Sequence, residues 1–176
     1  MKKMNIHLEK ITYDNLEAVL DLRVRKEQKD FVASNKISLI EAYLSLADEE
    51  PVFPFAICNN DTVVGFLMIN YGDDWAQEDN ETWMNCDFYK EHEDRFYYYI
   101  WRFMIDKKYQ GRGYGKEAMK LALDFIRTFP CGEAEFAVLS YEPENIAAKE
   151  LYRSFGFIEV PESYQEGDEI YAVLDL

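Results

Sequence analysis

The chain is poor in the residues from which disulfide frameworks, metal centres and histidine-based catalytic triads are built. It has three cysteines and two histidines. The cysteines are widely spaced and odd in number, so we expect neither a disulfide framework nor a thiolate metal site. The histidines His7 and His92 lie far apart along the chain. We therefore expect no bound metal and no histidine-centred triad.

Basic residues and long apolar runs are also scarce. Lys and Arg number 19 against 34 Asp and Glu, giving a formal net charge of −15. Binding to a nucleic-acid backbone needs a basic face, so we exclude nucleic acid as a partner. No apolar run approaches the roughly 20 residues that cross a bilayer, and none follows the lysines near the start of the chain as it would in a signal peptide. A cytoplasmic protein without a membrane partner is the expectation.

The apolar content is that of a folded globular chain. Apolar residues make up 48% of the sequence and aromatic residues 16%, and 176 residues suit one domain, 1–176. Hydrophobic periodicity predicts the order β-α-α-β-β-β-α-β-α-β, with a further short strand after Gly156. The predicted strands are 6–11, 53–58, 63–70, 97–105, 134–141 and 169–175, and the two best-defined helices are 115–129 and 145–155.

Capping signals mark the two helices that precede the second strand. Asp14 with Glu17, and Ser38 with Glu41, have the spacing of capping boxes, and Pro51 ends the second helix. The later segment 72–96 is long for a connection and rich in carboxylates, and we expect a short helix within it.

A glycine-rich turn follows the strand 97–105. The sequence Gln110-Gly111-Arg112-Gly113-Tyr114-Gly115 stands directly before a helix. Glycines allow the backbone to approach a ligand closely, and N–H groups at a helix start attract anions. Lys116 adds positive charge, so a phosphate or pyrophosphate is the expected ligand. The turn comes too late in the chain for a dinucleotide fingerprint and lacks the Lys-Ser/Thr of a P-loop.

Together with a second motif, this turn resembles the acetyl-CoA motifs of the GNAT acetyltransferases. The second motif is Asn145-x-x-Ala148-x-x-Leu151-Tyr152-x-x-x-Gly156-Phe157. The resemblance covers nearly the whole chain and implies an α/β fold of the GNAT type. Its sheet is mixed, mostly antiparallel and twisted, with six to seven strands, about four flanking helices and a splay between the fourth and fifth strands.

The resemblance also implies a binding site for acetyl-CoA as co-substrate. A backbone bulge at residues 103–105 would open a cleft beside the 134–141 strand, and the same segment would pair with the pantetheine arm. The loop from Gly111 to Lys116 would hold the pyrophosphate, and Asn145 would lie near the cofactor arm and also cap its own helix. The implied cofactor-binding residues are Phe103, Met104, Ile105, Gln110, Gly111, Arg112, Gly113, Tyr114, Gly115, Lys116, Asn145 and Ala148.

Tyr152 is the catalytic residue that the resemblance implies. It would lie near the thioester sulfur, where a phenol can protonate the thiolate that leaves when an amine attacks. The proton acceptor for the amine stays open. Some polyamine acetyltransferases carry an acidic residue on the central strand where this chain has Trp101. Glu27, Glu41 and a carboxylate of 72–96 are the remaining candidates.

A narrower resemblance concerns the acceptor. Residues 24–42 and 102–116 resemble the bacterial spermine/spermidine acetyltransferases, in which the first helix pair and the connection after it form one wall of the acceptor site. A flexible polycation requires carboxylates and aromatic faces. We therefore expect transfer of an acetyl group to a primary amine, most simply a polyamine. The expected acceptor-binding residues are Glu27, Gln28, Trp101 and Tyr141.

Three alternatives stay open at this point. An aminoglycoside is also polycationic, and a protein amine is a further acceptor class. A non-catalytic acyl-CoA-binding module would keep both motifs. Dimers are common in the family that the chain resembles, so a homodimer is left open as well.

Overall fold

Seven strands form one sheet in the part of the chain that the computed structural model describes, which is residues 4–72, 86–92, 95–161 and 169–176. The strand order is β1-β2-β3-β4-β5-β7-β6. The strands are β1 (Ile6–Lys10), β2 (Val52–Asn59), β3 (Thr62–Gly72), β4 (Tyr97–Ile105), β5 (Phe136–Tyr141), β6 (Ile158–Glu159) and β7 (Ile170–Asp175). The helices are α1 (Leu16–Asp21), a 3₁₀ turn (Lys26–Gln28), α2 (Asn35–Ala47), α3 (Asp87–Glu91), α4 (Tyr114–Ile126) and α5 (Ile146–Ser154). The expected sheet and element order are confirmed.

The central strand β4 joins two halves of the sheet. It pairs antiparallel with β3 over nearly its whole length, but parallel with β5 over three residue pairs that end at Ile100. Beside Ile100 the β3–β4 register shifts and leaves Trp101 as an extra residue, which is a β-bulge. The splay between the fourth and fifth strands is therefore confirmed. Its bulge lies two residues before the segment 103–105 where we expected it.

Helices cover both faces of the sheet because side chains alternate along β2 and β3. Phe55 and Ile57 belong to the core cluster beneath α4 and α5, whereas Ala56 and Cys58 belong to the cluster beneath α1 and α2. The buried residues of α4 recur at the spacing of one helical face: Ala118, Met119, Ala122, Leu123 and Ile126.

The caps of α1 and α2 differ from the expected ones. Asn15, not Asp14, is the N-cap of α1. Its side chain makes no cap hydrogen bond to the helix and instead donates to the carbonyl of Lys10 at 2.9 Å, in the turn before α1. Helix α2 begins earlier than expected, with Ser34 accepting a hydrogen bond from the N–H of Ile37. Ser38 lies buried inside the helix and donates to the carbonyl of Ser34 at 3.2 Å. Ser34 and Ser38 are one helical turn apart, and the capping-box spacing with Glu41 pointed to Ser38 instead of Ser34.

Other boundaries follow from local backbone conformation. Helix α4 ends three residues before the expected 129, because Phe129 has a left-handed φ of 50° and precedes Pro130. The short helix expected within 72–96 is α3, while residues 73–85 and 93–94 of that segment lie outside the described residues. Among the described residues, no helix has the length and apolarity needed to cross a membrane.

Candidate active site

The divergence of β4 from β5 opens a cavity of about 690 Å³. One wall comes from α2 and the loop before it, with residues 30–33 and one face of the helix. A second wall is the bulged part of β4, residues 99–103. The end of β5, the start of α5 and the start of β7 complete the cavity, contributing Ser140, Tyr141, Asn145, Tyr152, Glu169 and Tyr171. Of the expected helix pair, α2 with the loop before it thus forms this wall, and none of the described lining residues comes from α1.

Among the charged side chains that line this cavity, acidic ones outnumber basic ones. Arg102 is the one lysine or arginine among the described lining residues, and it is already paired, donating from Nη2 to Glu41 at 3.1 Å. The Arg102 guanidinium also lies 4.9 Å from the centre of the Trp101 ring. The carboxylates of the lining are Asp30, Glu41, Asp48, Glu50 and Glu169. Such a surface attracts cations and repels anionic acceptors.

Tyr152 faces this cavity from α5. Its side chain is 7% exposed, and its ring lies 5.6 Å from that of Tyr141 and 6.1 Å from that of Phe157. Within the described part of the chain, its hydroxyl makes no hydrogen bond. Burial, and after it the charge of Glu169, raise the pKa of Tyr152. The phenol therefore keeps its proton at neutral pH and can donate it.

Tyr141 is the ring neighbour of Tyr152, but its hydroxyl is hydrogen-bonded. It donates to Oε1 of Glu159 at 2.5 Å, and Lys149 Nζ lies 2.8 Å from the same oxygen. Burial first, and then the hydrogen bond to Glu159, raise the pKa of Tyr141. We expected Tyr141 at the acceptor, and it does line the cavity, but its hydroxyl fastens β5 to β6.

A chain of hydroxyls crosses the floor of the cavity from β4 to β7. Tyr99 Oη lies 2.6 Å from Ser140 Oγ, and Ser140 in turn donates to Oε2 of Glu169. Tyr99 also stacks on Tyr171, with ring centres 6.5 Å apart. Burial is the largest cause that raises the pKa of Tyr99, so this hydroxyl also stays neutral. Sequence reasoning missed Tyr99, Ser140 and Glu169 as a group, because three separate strands bring them together.

The glycine-rich turn adopts the conformation that an anion cradle requires. Gly111 and Gly113 have left-handed φ angles of 74° and 81°, and Gly113 is the N-cap of α4. A Cβ built on either glycine would meet nothing within 4 Å, so the space beside the turn is open. Arg112 lies over the Tyr109 ring at 5.6 Å, and Lys116 is exposed. These residues fit a pyrophosphate on backbone N–H groups at a helix start.

The edge of β4 fits the second part of an acyl-CoA. Parallel pairing with β5 stops at Ile100, so the β5-facing edge of Phe103, Met104 and Ile105 has no strand partner in the described chain. Such an edge can pair with an extended amide-containing arm. Asn145 lies at the cavity and caps α5 by accepting from the N–H of Ala148 at 3.2 Å. Asn145 thus caps its helix and lines the cavity at the same time.

Gln110 and Gln28 are placed differently from Trp101 and Tyr141. The side-chain amide of Gln110 donates to Oε1 of Gln28 at 2.9 Å and to the carbonyl of Ile105 at 3.0 Å. This bridge holds the glycine-rich turn against the end of β4 and the 3₁₀ turn. Neither Gln28 nor the exposed Glu27 is among the described residues that line the cavity.

Two further residues that the sequence did not single out shape the cofactor side. Gly65 of β3 lies so close to β4 that an added Cβ would stand 2.4 Å from the carbonyl oxygen of Met104. Asp106 is 3% exposed and accepts from the N–H groups of Arg23 and Lys108, each at 2.8 Å. It thereby fixes the backbone between β4 and the glycine-rich turn. A lone glycine or aspartate carries no sequence signal for such a role.

One cluster outside the cavity also depends on strand pairing. His7 stands opposite Cys58 across β1 and β2, and its Nε2 lies 2.8 Å from Glu9 Oε1. Ligand atoms of these three residues lie within 4.8 Å of one another. Burial, and next the charge of Glu9, raise the pKa of Cys58 to about 12. His7 and Cys58 are distant along the chain, and the pairing of β1 with β2 brings them together.

Comparisons with known proteins agree with this geometry. Residues 16–157 match the model of the acetyltransferase (GNAT) family. A spermine/spermidine N(1)-acetyltransferase of Bacillus subtilis strain 168 is 28% identical over 158 residues, covering 88% of each chain.

Solved structures share the fold at low sequence identity. The PaiA N-acetyltransferase of Thermoplasma acidophilum, solved with coenzyme A, has a TM-score of 0.63 at 12% identity, covering 98% of this chain and 100% of that one. The aminoglycoside acetyltransferase AAC(6')-Ib, also solved with coenzyme A, has a TM-score of 0.61 at 18% identity, covering 97% and 95%.

Proposed function

The chain belongs to the acetyltransferase (GNAT) family, and from that premise we propose that it acetylates a polycationic amine of the spermine and spermidine type. Acetyl-CoA, the co-substrate of the family, supplies the acetyl group as an activated thioester. The single observation that carries the choice of acceptor is the lining of the cavity, in which the described residues include five carboxylates and one guanidinium, that of Arg102, which is paired with Glu41.

The field of these carboxylates suits a substrate with several positive charges. A flexible polyamine presents ammonium groups along its length and has no rigid shape, so separate carboxylates along a groove can each engage one group. Trp101 adds an aromatic face beside them, although the Arg102 guanidinium already occupies one side of it. The similarity to a spermine/spermidine acetyltransferase supports the same acceptor class.

On the cofactor side, the residues that would hold acetyl-CoA are those of the glycine-rich turn and the free edge of β4. The N–H groups of 111–116, with Arg112 and Lys116, would take the pyrophosphate, and Phe103 to Ile105 would take the pantetheine arm. In this proposal Tyr152 donates a proton to the leaving sulfur from its cavity-facing phenol.

The experiment incubates the protein with acetyl-CoA and, separately, spermine, spermidine, an aminoglycoside and a lysine-containing peptide, and follows free thiol release. We expect release with the polyamines, confirmed by mass spectrometry of the acetylated product. Release with the peptide alone would remove the polyamine proposal. Acetyl-CoA binding without release for any acceptor would favour the non-catalytic module.

An aminoglycoside is the second candidate, because the same acidic cavity would attract its ammonium groups. The two acceptors differ in rigidity, since a linear polyamine adapts to a narrow groove and a ring-based antibiotic does not. Comparison of kcat/KM for the two within the same panel decides between them.

Replacing Tyr152 tests the assignment of the proton donor. We expect Tyr152→Phe to lower kcat by about 100-fold or more, because a positioned general acid contributes on that scale. The matched control is Tyr141→Phe, which removes a hydroxyl from a neighbouring ring that is already bound to Glu159. That control should act on thermal stability rather than on kcat. Unchanged turnover in Tyr152→Phe would refute this role and leave the family assignment intact.

A further inference from the structure

The amine acceptor must lose a proton before it can attack, and among the described residues that line the cavity Glu169 has different surroundings from those of Glu41, Asp30 and Asp48. An alkyl ammonium has a pKa near 10, so at neutral pH nearly every amine is protonated and needs an acceptor for that proton. The carboxylates on the α2 side do not fit this task equally. Glu41 is occupied by Arg102 Nη2 at 3.1 Å, and Asp30 and Asp48 are exposed on the outer wall.

Glu169 is held in place by partners on two other strands. Its Oε2 accepts from Ser140 Oγ, and Ser140 is in turn bound to the buried Tyr99 hydroxyl at 2.6 Å. Its Oε1 accepts no hydrogen bond from the residues that the structure describes. One oxygen is therefore fixed while the other is available to an N–H donor in the cavity, which is the arrangement of a preorganised proton acceptor.

Glu169 is also close to the groups that the reaction uses. Its negative charge is among the causes that raise the pKa of Tyr152, Tyr99 and the nearby Glu142. The Glu169 carboxylate and the Tyr152 phenol thus line the same cavity. A carboxylate and a buried phenol in one site are groups that can share the roles of proton acceptor and proton donor.

We propose that Glu169 is the catalytic proton acceptor for the amine, and that Ser140 and Tyr99 are positioning residues that orient its carboxylate. This inference rests on the proposed function. An N–H bond of the ammonium breaks, its proton goes to Oε1 of Glu169, and the electron pair stays on nitrogen. That pair forms the new bond to the acetyl carbon as the bond to sulfur breaks. The second amine proton replaces the one that Tyr152 gives to the sulfur, and Glu169 releases its proton to solvent.

The test is Glu169→Gln, which keeps an oxygen that can accept from Ser140 but cannot take up the proton. We expect kcat with spermine to fall by about 100- to 10,000-fold, the range for loss of a general base. The KM for spermine should rise only severalfold. The residual kcat of Glu169→Gln should keep rising as the pH approaches the pKa of the amine, because the fraction of unprotonated amine grows. The kcat of the wild-type protein should reach its plateau at a lower pH.

The matched control is Asp48→Asn, which removes the same charge from another residue of the cavity lining. It should raise the KM for spermine by about two- to fivefold, as expected for one partly exposed ionic contact, and change kcat little. Equal kcat values in Glu169→Gln and Asp48→Asn would overturn the proposal, because Glu169 would then contribute only to the field. Thermal unfolding of both variants separates misfolding from a chemical defect.

Further variants cover the case in which Glu169→Gln does not fold. Glu169→Asp keeps the charge and retracts the carboxylate, so its kcat should fall without the change in pH profile. Ser140→Ala should give a smaller loss of kcat by releasing Oε2, and unchanged kcat in both would again overturn the proposal. Lack of turnover by the wild-type protein with every amine would refute the proposed function itself, and this inference with it.

Discussion

The two sides of the candidate site are built from different parts of the polypeptide. On the proposed cofactor side the backbone would provide the binding groups: the left-handed glycines of the turn 110–115 and the edge of β4 after Ile100, which has no strand partner in the described chain. On the proposed acceptor side the binding groups would be side chains from α2, β4, β5 and the start of β7, where Tyr99, Ser140 and Glu169 meet.

This difference teaches how each side can change. The glycine-rich turn tolerates few substitutions at Gly111 and Gly113, because glycine adopts their left-handed conformations without strain. A site made of side chains keeps the fold when its residues change, so the acceptor can vary while acetyl-CoA stays the same. Substitutions should therefore affect one side or the other, and three further predictions test that separation.

The largest effect is expected from Gly65→Ala. The new methyl group would lie 2.4 Å from the carbonyl oxygen of Met104 and 2.9 Å from Ile105 Cδ1, so the β4 edge must move. We expect the free energy of unfolding to fall by about 1 to 3 kcal/mol, the usual range for overpacking. Acetyl-CoA binding, measured by calorimetry, should weaken by about tenfold, equivalent to about 1.4 kcal/mol. Unchanged stability would show that β3 and β4 are farther apart than described.

A smaller and more selective effect is expected from Gly113→Ala. Its φ of 81° strains any other residue, at about 1 to 2 kcal/mol, while the added methyl group would touch nothing. The KM for acetyl-CoA should rise by about five- to thirtyfold, because the turn must distort, and the KM for the amine should stay the same. Gly115→Ala is the comparison, since its Cβ would make contacts of ordinary length, from 3.7 Å. Equal effects of the two variants would contradict the backbone argument.

The smallest effect, on the acceptor side, is expected from Glu142→Gln. Burial is the largest cause that raises the pKa of Glu142 above 4.5, followed by the charges of Glu169, Glu144 and Asp30. Because the folded pKa lies above the unfolded one, the ionised group opposes folding as pH rises through the folded value. The substitution should therefore raise the Tm at pH 7.5 by about 1 to 3 °C, and the gain should disappear toward pH 4.5.

Spermine provides the control for that prediction. A bound polycation would relieve the same repulsion, so it should raise the Tm of the wild-type protein more than that of Glu142→Gln. Equal increases would indicate that Glu142 does not share the field of the acceptor cavity.

The separation also explains how much could be predicted from the sequence. The sheet, β4 with both its boundaries and the cap Asn145 were predictable, because period-two and helical patterns and capping spacing are local properties. The glycine-rich turn was predictable for the same reason. Ser38 looked like a cap because propensity cannot distinguish two serines four residues apart when tertiary packing buries one of them.

The acceptor side was only partly predictable, because its residues are distant in sequence. Of the four residues expected at the acceptor, Trp101 and Tyr141 line the cavity, whereas Glu27 and Gln28 are not among its described lining residues. Glu169 and Ser140 are separated by 29 positions, and no local pattern announces their hydrogen bond. Register between strands decides which polar side chains meet, and register is a tertiary property.

In the described chain β4 and β5 pair over three residues, so the two halves of the sheet are joined by fewer hydrogen bonds than the long strands within each half. Each half, β1 to β4 and β5 to β7, is a continuous antiparallel ladder, while the connection between them in the described chain ends at Ile100. In the free protein, amide protons of β4 and β5 near the end of this pairing should exchange with deuterium faster than those of β2 and β3. An acyl-CoA arm lying along the β4 edge would add hydrogen bonds beyond Ile100. Its binding should therefore slow exchange there and reduce the motion of one half of the sheet relative to the other.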